Sequence, residues 1–234
     1  MTSTARDRPL LVAEMFGPTF QGEGPSCGQR AVFVRLAGCP LACVWCDTPY
    51  SWDWSLFDRE VESRELTVDQ VVGWVQSHSS QLVVITGGEP LAQRSLVELC
   101  TALTALGLRV EIETSGVIPP SAALTAAVAL FVVSPKLAHS GMVRSRRIRP
   151  SALRAFAETG KATFKFVAQR GGDLDEAAEL ESAYGLTPIW IMPEGTSEDR
   201  VLAGMRFLAD PVLARGWHLT SRLHILVWGD RRGR

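Results

Sequence analysis

No apolar run in this sequence reaches the ~20 residues needed to cross a bilayer, and the N-terminus lacks the apolar stretch of a secretory signal. The expected location is therefore the cytoplasm, with no membrane attachment. An excess of either charge is also missing: 24 Lys and Arg stand against 25 Asp and Glu, a formal net charge of −1. No overall attraction to nucleic acid or anionic lipid follows, and a small-molecule partner is favoured. Basic residues gather only locally, at Arg144, Arg146, Arg147 and Arg149 and at Arg231, Arg232 and Arg234, and both runs read as solvated surface. Internal repeats and low-complexity linkers are absent. With 46% apolar residues the chain can bury a sizeable core, so residues 1–234 are expected to form one domain. Cysteine is sparse and odd in number, five in all with three of them clustered, which excludes a secreted disulfide framework and points to a reducing compartment.

The clustered three carry the most information. Cys39, Cys43 and Cys46 follow a strand-like segment at Cys-x3-Cys-x2-Cys spacing, which suits three corners of an iron-sulfur cube. A 4Fe-4S cube normally takes four thiolates, so a trio leaves one iron open to an exogenous ligand, and S-adenosylmethionine is the expected occupant. Structural zinc is the alternative, but it requires a fourth protein ligand. His78 lies beyond a predicted helix, and Cys27 sits in a loop before the strand. Cys100 reads as a small hydrophobe on the apolar face of a helix.

Apolar, β-branched runs predict strands at 31–36, 82–85, 109–112, 130–133, 163–167, 188–192 and 223–228. Between them, 67–77 reads as a helix with a capping box formed by Thr67 and Gln70 and an apolar face of Val68, Val71, Val72 and Val75. Further helices are predicted at 93–106, 122–127, 151–158, 174–184 and 199–208, the last with an acidic first turn. Such alternation implies an α/β fold with a parallel sheet and right-handed crossovers, closed or partly closed into a barrel. The unusual residues fall at carboxyl ends of predicted strands: Cys39, then Thr86-Gly87-Gly88-Glu89-Pro90, Glu113-Thr114-Ser115-Gly116, Ser134-Pro135-Lys136 and Pro193-Glu194-Gly195-Thr196. In a β/α barrel these ends share the face on which active sites are built, so one composite site is expected.

Each segment suggests a chemistry. Gly87 and Gly88 allow backbone to approach a ligand, and Glu89 offers an acceptor for an ammonium group; the plain alternative is a tight strand-to-helix turn. Thr114, Ser115, Ser134 and Lys136 can contact a ribose or a carboxylate. In the loop Phe20-Gln21-Gly22-Glu23-Gly24-Pro25, Gln21 offers donor and acceptor, Glu23 accepts from a guanidine-like edge, and Arg35 on the next strand can pair with a carboxylate; an ordinary turn with a surface ion pair is the alternative. The hydroxyl of Thr48 suits a hard cation such as magnesium. His224, on the last predicted strand, reads as a packing residue, and Trp45, Trp52, Trp54 and Trp228 as wall and core.

Taken together, these motifs resemble the radical S-adenosylmethionine superfamily. The narrower resemblance is to the 7-carboxy-7-deazaguanine synthase family, and it is carried by Gly17-Pro18-Thr19-Phe20-Gln21-Gly22-Glu23-Gly24, Phe33-Val34-Arg35-Leu36-Ala37-Gly38-Cys39, Trp45-Cys46-Asp47-Thr48, Thr86-Gly87-Gly88-Glu89-Pro90, Ser134-Pro135-Lys136, Arg222-Leu223-His224 and Trp228-Gly229. The resemblance implies a partial (β/α) barrel of about six parallel strands and a 4Fe-4S cluster on Cys39, Cys43 and Cys46. It implies S-adenosylmethionine held near Trp45, Cys46, Asp47, Gly88, Ser134, Pro135, Lys136 and Met192, and Mg2+ on Thr48. The implied substrate is 6-carboxy-5,6,7,8-tetrahydropterin, held by Phe20, Gln21, Gly22, Glu23, Arg35, Thr86 and His224. A 5'-deoxyadenosyl radical would take hydrogen from it, and ring contraction with loss of ammonia would give a precursor of queuosine and other deazapurines. A homodimer and a reductant such as flavodoxin or ferredoxin are implied as partners. Two features depart from the family pattern: Arg222 stands where some relatives carry glutamine, and the tail at Arg234 is basic where relatives bring a terminal carboxylate to the substrate. A glycyl-radical activase would share the cluster and Gly87-Gly88-Glu89 but has no need of Gln21, Glu23 and Arg35.

Overall fold

The computed structural model describes residues 8–234; the first seven residues, part of the N-terminus read above, lie outside it. The strands are β1 (Leu10–Phe20), β2 (Arg30–Leu36), β3 (Arg64–Leu66), β4 (Leu82–Gly87), β5 (Arg109–Thr114), β6 (Leu130–Val133), β7 (Ala162–Ala168), β8 (Ile189–Pro193) and β9 (His218–Leu219). They form one sheet in the order β3-β1-β2-β4-β5-β6-β7-β8-β9. From β2 to β9 every neighbouring pair is parallel, whereas β1 runs antiparallel to both β2 and β3. Six substantial parallel strands, β2 and β4 to β8, thus make the body of the α/β fold. Among the described residues the edges β3 and β9 do not pair with each other, so the barrel is partial.

Parallel strands covered on both faces read as continuous apolar runs, and Leu82, Val83, Val84 and Ile85 of β4 are all buried. The covering helices are α2 (Val68–Gln76), α3 (Leu96–Ala105), α4 (Ala122–Ala127), α6 (Pro150–Glu158), α7 (Gly171–Tyr184) and α8 (Glu198–Ala214), with single turns at α1 (Arg59–Glu62) and α5 (Arg144–Arg147) and a short α9 (Leu223–Trp228). The capping box of α2 is formed: Gln70 N donates to Thr67 Oγ1 at 3.2 Å and Thr67 N to Gln70 Oε1 at 2.8 Å. Cys100 is fully buried among leucines and valines, as its place on the apolar face of α3 predicts. The core centres on Phe131, Phe156, Phe164 and Phe166, each worth roughly 1.5–3 kcal/mol of burial.

Several elements differ from expectation. The predicted strand at 223–228 is helix α9. A six-residue apolar run carries no periodicity that separates strand from buried helix, and only Ile225 is buried there. The strand β1 escapes the pattern because Gly17 and Pro18 interrupt it. Its pairing with β2 slips between Phe16 and Thr19, and β3 pairs only with residues 10–12, so the proline sits on a free edge as it must. Helix α8 continues beyond 208 through Pro211, because Leu208 and Val212, one turn apart, are both buried against the sheet.

Candidate active site

The carboxyl ends of the parallel strands open into one cavity of about 210 Å3, a size for a small molecule rather than a lone ion. The segment after β2 brings Cys39, Cys43, Trp45, Cys46, Asp47 and Thr48 to its wall. Thr86 and Gly88 come from β4 and the turn beyond it, Ser134 and Lys136 from the segment after β6, and Met192 from β8. On the opposite side stand Phe20 at the end of β1, Gln21, Gly22 and Glu23 after it, Arg35 of β2 and His224 of α9. Of the residues expected to hold the cluster, S-adenosylmethionine, magnesium or substrate, Pro135 alone does not line the cavity; it is buried. Glu113 of β5 and Lys165 of β7 also face in, and sequence reasoning gave neither a role. The available signal for Lys165 was a lone charge inside the apolar strand Thr163-Phe164-Lys165-Phe166-Val167.

The cysteine loop is braced from several directions. Gly38 N donates to Ser51 O at 2.7 Å, Val44 N to Ser140 O at 3.1 Å and Cys46 N to Cys43 O at 3.1 Å. Trp52 Nε1 donates to Cys46 Sγ at 3.2 Å, the kind of contact that tunes a cluster sulfur ligand. Burial pushes the Cys39 thiol up to about 12 and raises that of Cys43, so metal binding there must release protons. All five cysteines are free thiols. Cys27 lies away from the other three and donates to Gly22 O at 3.3 Å, and His78 stacks on Trp74 of α2, so neither of the possible fourth ligands joins the trio. Among the described residues no three His, Cys, Asp or Glu side chains gather closely enough for a single ion. Three soft donors without a fourth fit an iron-sulfur cube with one open iron. The indole nitrogen of Trp45, buried without a partner, is a spare donor in the same loop.

Gly87 and Gly88 serve the fold in a way the sequence did not suggest. At φ 131°, a side chain on Gly87 would overlap the Leu36 carbonyl, and one on Gly88 would overlap the Gly38 carbonyl. Gly88 N donates to Leu36 O at 2.9 Å and Glu89 N to Gly38 O at 2.8 Å, so the glycines let β4 press against the start of the cysteine loop. Glu89 is fully buried and turned inward. Its carboxylate accepts from Thr114 Oγ1 at 2.7 Å, Ser115 N at 2.9 Å, Ser115 Oγ and Leu91 N at 3.1 Å. It is therefore a scaffold residue and no free acceptor for an ammonium group.

A charged lattice joins the two sides of the cavity. Glu23 pairs with Lys165 and, at 3.2 Å, with Arg222 Nε. Burial alone would raise the Glu23 carboxyl, but the ammonium and guanidinium beside it hold it well below the usual carboxylate range. Burial would likewise lower Lys165, and Glu23 and Glu113 together raise it. Glu113 accepts from Gln21 Nε2 at 3.1 Å and from Thr86 Oγ1 at 2.7 Å. Arg222 also donates to Gly195 O at 2.7 Å and pairs with Asp47. These contacts show that the sheet curls until the loop after β1 reaches β7 and the segment after β9. Arg35 donates through Nε to Glu14 at 3.1 Å, so the ion pair weighed from the sequence exists, but the side chain is largely buried and faces the cavity. Among the described residues its terminal nitrogens make no hydrogen bond, which leaves them able to grip a carboxylate. His224 packs against Gly22, where a side chain would collide with its ring, and burial lowers its pKa.

A partial parallel barrel with three thiols at its carboxyl face defines a radical S-adenosylmethionine protein, and the profile described as Radical SAM superfamily matches residues 34–134. Within that class, "7-carboxy-7-deazaguanine synthase" of Pyrobaculum aerophilum is 40% identical over all of both chains. The protein of the same name from Hyperthermus butylicus is 37% identical over 96% of this chain and 95% of its own. The crystal structure of QueE from Escherichia coli, 28% identical, superposes with a TM-score of 0.71 over 91% of this chain and 93% of that one. The chain belongs to the 7-carboxy-7-deazaguanine synthase family. A 4Fe-4S cluster, S-adenosylmethionine, a small-molecule substrate and a reductant follow from membership, and the glycyl-radical activase is not favoured. No helix among the described residues is long and apolar enough to cross a membrane.

Proposed function

We propose that this chain converts 6-carboxy-5,6,7,8-tetrahydropterin to 7-carboxy-7-deazaguanine with loss of ammonia, as a step toward queuosine or a related deazapurine, and that residues 1–234 act as a single domain for it. The observation that carries the reading is the convergence, in one cavity, of three thiols with a lattice of three carboxylates, Glu23, Asp47 and Glu113, around two buried cations, Lys165 and Arg222, and with Arg35 beside it. When bound, the cluster and S-adenosylmethionine supply a carbon-centred radical for hydrogen abstraction. The residues of this chain supply the rest: Cys39, Cys43 and Cys46 as ligands, with Trp45, Asp47, Gly88, Ser134, Lys136 and Met192 lining the S-adenosylmethionine side.

On the pterin side, Glu23, held ionised by Lys165 and Arg222, and the Glu113 carboxyl can accept from the amino-pyrimidine edge, while Arg35 takes the carboxylate. Gln21, Thr86 and His224 fix the remaining donors and acceptors, and Phe20, stacked on Trp228 at 5.9 Å, closes the outer wall. Thr48, whose hydroxyl lies 3.8 Å from Cys46 Sγ, is the oxygen donor for Mg2+, which would neutralise the substrate carboxylate. The family's homodimer and cytoplasmic location are part of the same proposal. Chemistry of this kind asks the protein mainly for positioning and exclusion of water.

The deciding experiment is anaerobic incubation of reconstituted, reduced protein with S-adenosylmethionine and the carboxypterin, with mass-spectrometric detection of the deazaguanine carboxylate. Cofactor cleavage without that product would overturn the assigned substrate. Zinc in place of iron and sulfide would overturn the assignment of the cysteines.

A further inference from the structure

Between Glu113 and Glu158 the sequence has no acidic residue, yet it holds Lys136, Arg144, Arg146, Arg147, Arg149 and Arg154. The chain as a whole carries −1, so this basic stretch is a local feature, and the structure packs its middle directly on the cysteine loop. Val44 N donates to Ser140 O at 3.1 Å, the Trp45 ring stacks on His139 at 5.4 Å, and the Val44 side chain fills the space left by the missing side chain of Gly141. Arg147, buried, clamps the segment: Nη1 donates to Lys136 O at 2.8 Å and to Glu176 at 2.6 Å, and Nε to Met142 O at 3.2 Å. Helix α5 is thereby fixed beside the loop.

The side chains left facing outward form a pattern. Val44 is 77% and Val143 62% exposed, and Arg144, Arg146 and Arg149 are exposed beside them. Arg146 and Arg149 make no ion pair among the described residues, and Arg144 has only a 3.6 Å approach to a Glu176 oxygen that Arg147 already holds. Apolar side chains bordered by uncommitted cations are the makings of a small interface with an anionic rim on the partner. Cys43 and Trp45 line the substrate cavity while Val44 between them does not, so this face and the cavity are two sides of one loop.

We propose that the outer face of the cysteine loop together with α5 is the docking surface for an acidic one-electron carrier protein. This rests on the reading that Cys39, Cys43 and Cys46 hold a cluster that must be reduced from outside. At each docking one electron leaves the carrier and enters the cluster, so the carrier is oxidised by one equivalent; no bond is made or broken there. Substrate and S-adenosylmethionine can remain in the cavity meanwhile, because the carrier approaches from the other side. An arginine-rich face can also attract RNA, but its apolar pair and its contact with the cysteine loop favour the carrier.

The test is the triple substitution R144Q/R146Q/R149Q, which removes three charges without creating repulsion at Glu176. Turnover is measured with dithionite and, separately, with a reduced acidic flavodoxin, and binding of oxidised flavodoxin to cluster-free protein is followed by calorimetry. The expected result is unchanged dithionite-driven turnover with flavodoxin-driven kcat/KM lowered about 10-fold or more, a flatter salt dependence and weaker calorimetric binding. Equal losses with both reductants, or flavodoxin-driven turnover and binding that match the wild type, would overturn the proposal. If wild-type protein forms no product even with dithionite, the failure lies in the assigned reaction, and the calorimetry on cluster-free protein still decides the docking surface.

Discussion

Lys165→Met tests the charged lattice most directly. The ammonium is buried between Glu23, which it pairs, and Glu113, 4.0 Å away. Removing one partner of a buried pair costs about 3–5 kcal/mol. Glu23 retains Arg222 at 3.2 Å, so the low end applies, about 3 kcal/mol, and a domain of this size should lose about 6–12 °C in Tm. The pH dependence follows from the directions of the shifts. Glu23 is held below its ordinary value, so its contribution is present above the ordinary carboxylate range and lost only as pH falls through the depressed folded value. Lys165 is raised, so its contribution is complete below the ordinary lysine value and lost only above the raised one. The wild-type lattice is therefore intact from about pH 5 to about pH 10. In the variant two carboxylates share a site with one cation fewer, and protonating one of them relieves the strain. The Tm deficit should be largest near about pH 8.5 and shrink toward about pH 5.5, as read by circular dichroism on metal-free protein. Carboxypterin affinity should fall about 10-fold at the higher pH, where the two carboxylates left with one cation fewer repel each other out of position. A deficit that is the same at both pH values, or no deficit, would refute the account of Lys165 as the counterion of Glu23.

Three further outcomes are expected. Alanine at Cys39, Cys43 or Cys46 should abolish iron and sulfide uptake on anaerobic reconstitution, whereas Cys27→Ala should take up as much as wild type; a loss with Cys27→Ala would restore it as a fourth ligand. Glu89→Gln turns an amide toward donors that now point at a buried carboxylate, and should cost about 2–3 kcal/mol in urea unfolding; wild-type stability would mean that the hydrogen bonds to Thr114 and Ser115 carry little. Arg35→Ala should lower kcat/KM for the carboxypterin by about 100-fold or more through loss of a charge-assisted contact, with iron content unchanged; normal turnover would remove Arg35 from the substrate's carboxylate.

The parallel body of the fold was legible because strands covered on both faces must be apolar throughout, and the residues at their carboxyl ends then had to converge. What stayed hidden depended on tertiary partners. Residues 10–20 contain a proline tolerated only because the second half of β1 has an open edge, a fact of topology. Residues 223–228 become helical because β9 ends the sheet before them, which no local pattern announces. At the site, the place of the cysteines and Arg35 on the wall of one cavity could be read from spacing and residue type. The role of Glu89 could not, since it depends on Thr114 and Ser115 arriving from another strand, and neither could that of Lys165, whose partners lie 142 and 52 positions away in sequence.

Arg222, the departure from the family pattern, also acquires a physical reading. The cavity side chains include five cations, Arg35, Lys136, Lys165, Arg222 and Arg234, against three carboxylates, Glu23, Asp47 and Glu113, an excess that suits carboxylate-bearing ligands. Arg222 does not contribute to that excess, because its guanidinium is committed to Glu23, Asp47 and the Gly195 carbonyl. Those three groups belong to the loop after β1, the cysteine loop and the loop after β8. A glutamine at this position could offer hydrogen bonds but no charge to hold two carboxylates together. The arginine therefore ties the cluster side of the cavity to the substrate side, and the cations left to meet an incoming carboxylate are Arg35, Lys136 and Arg234.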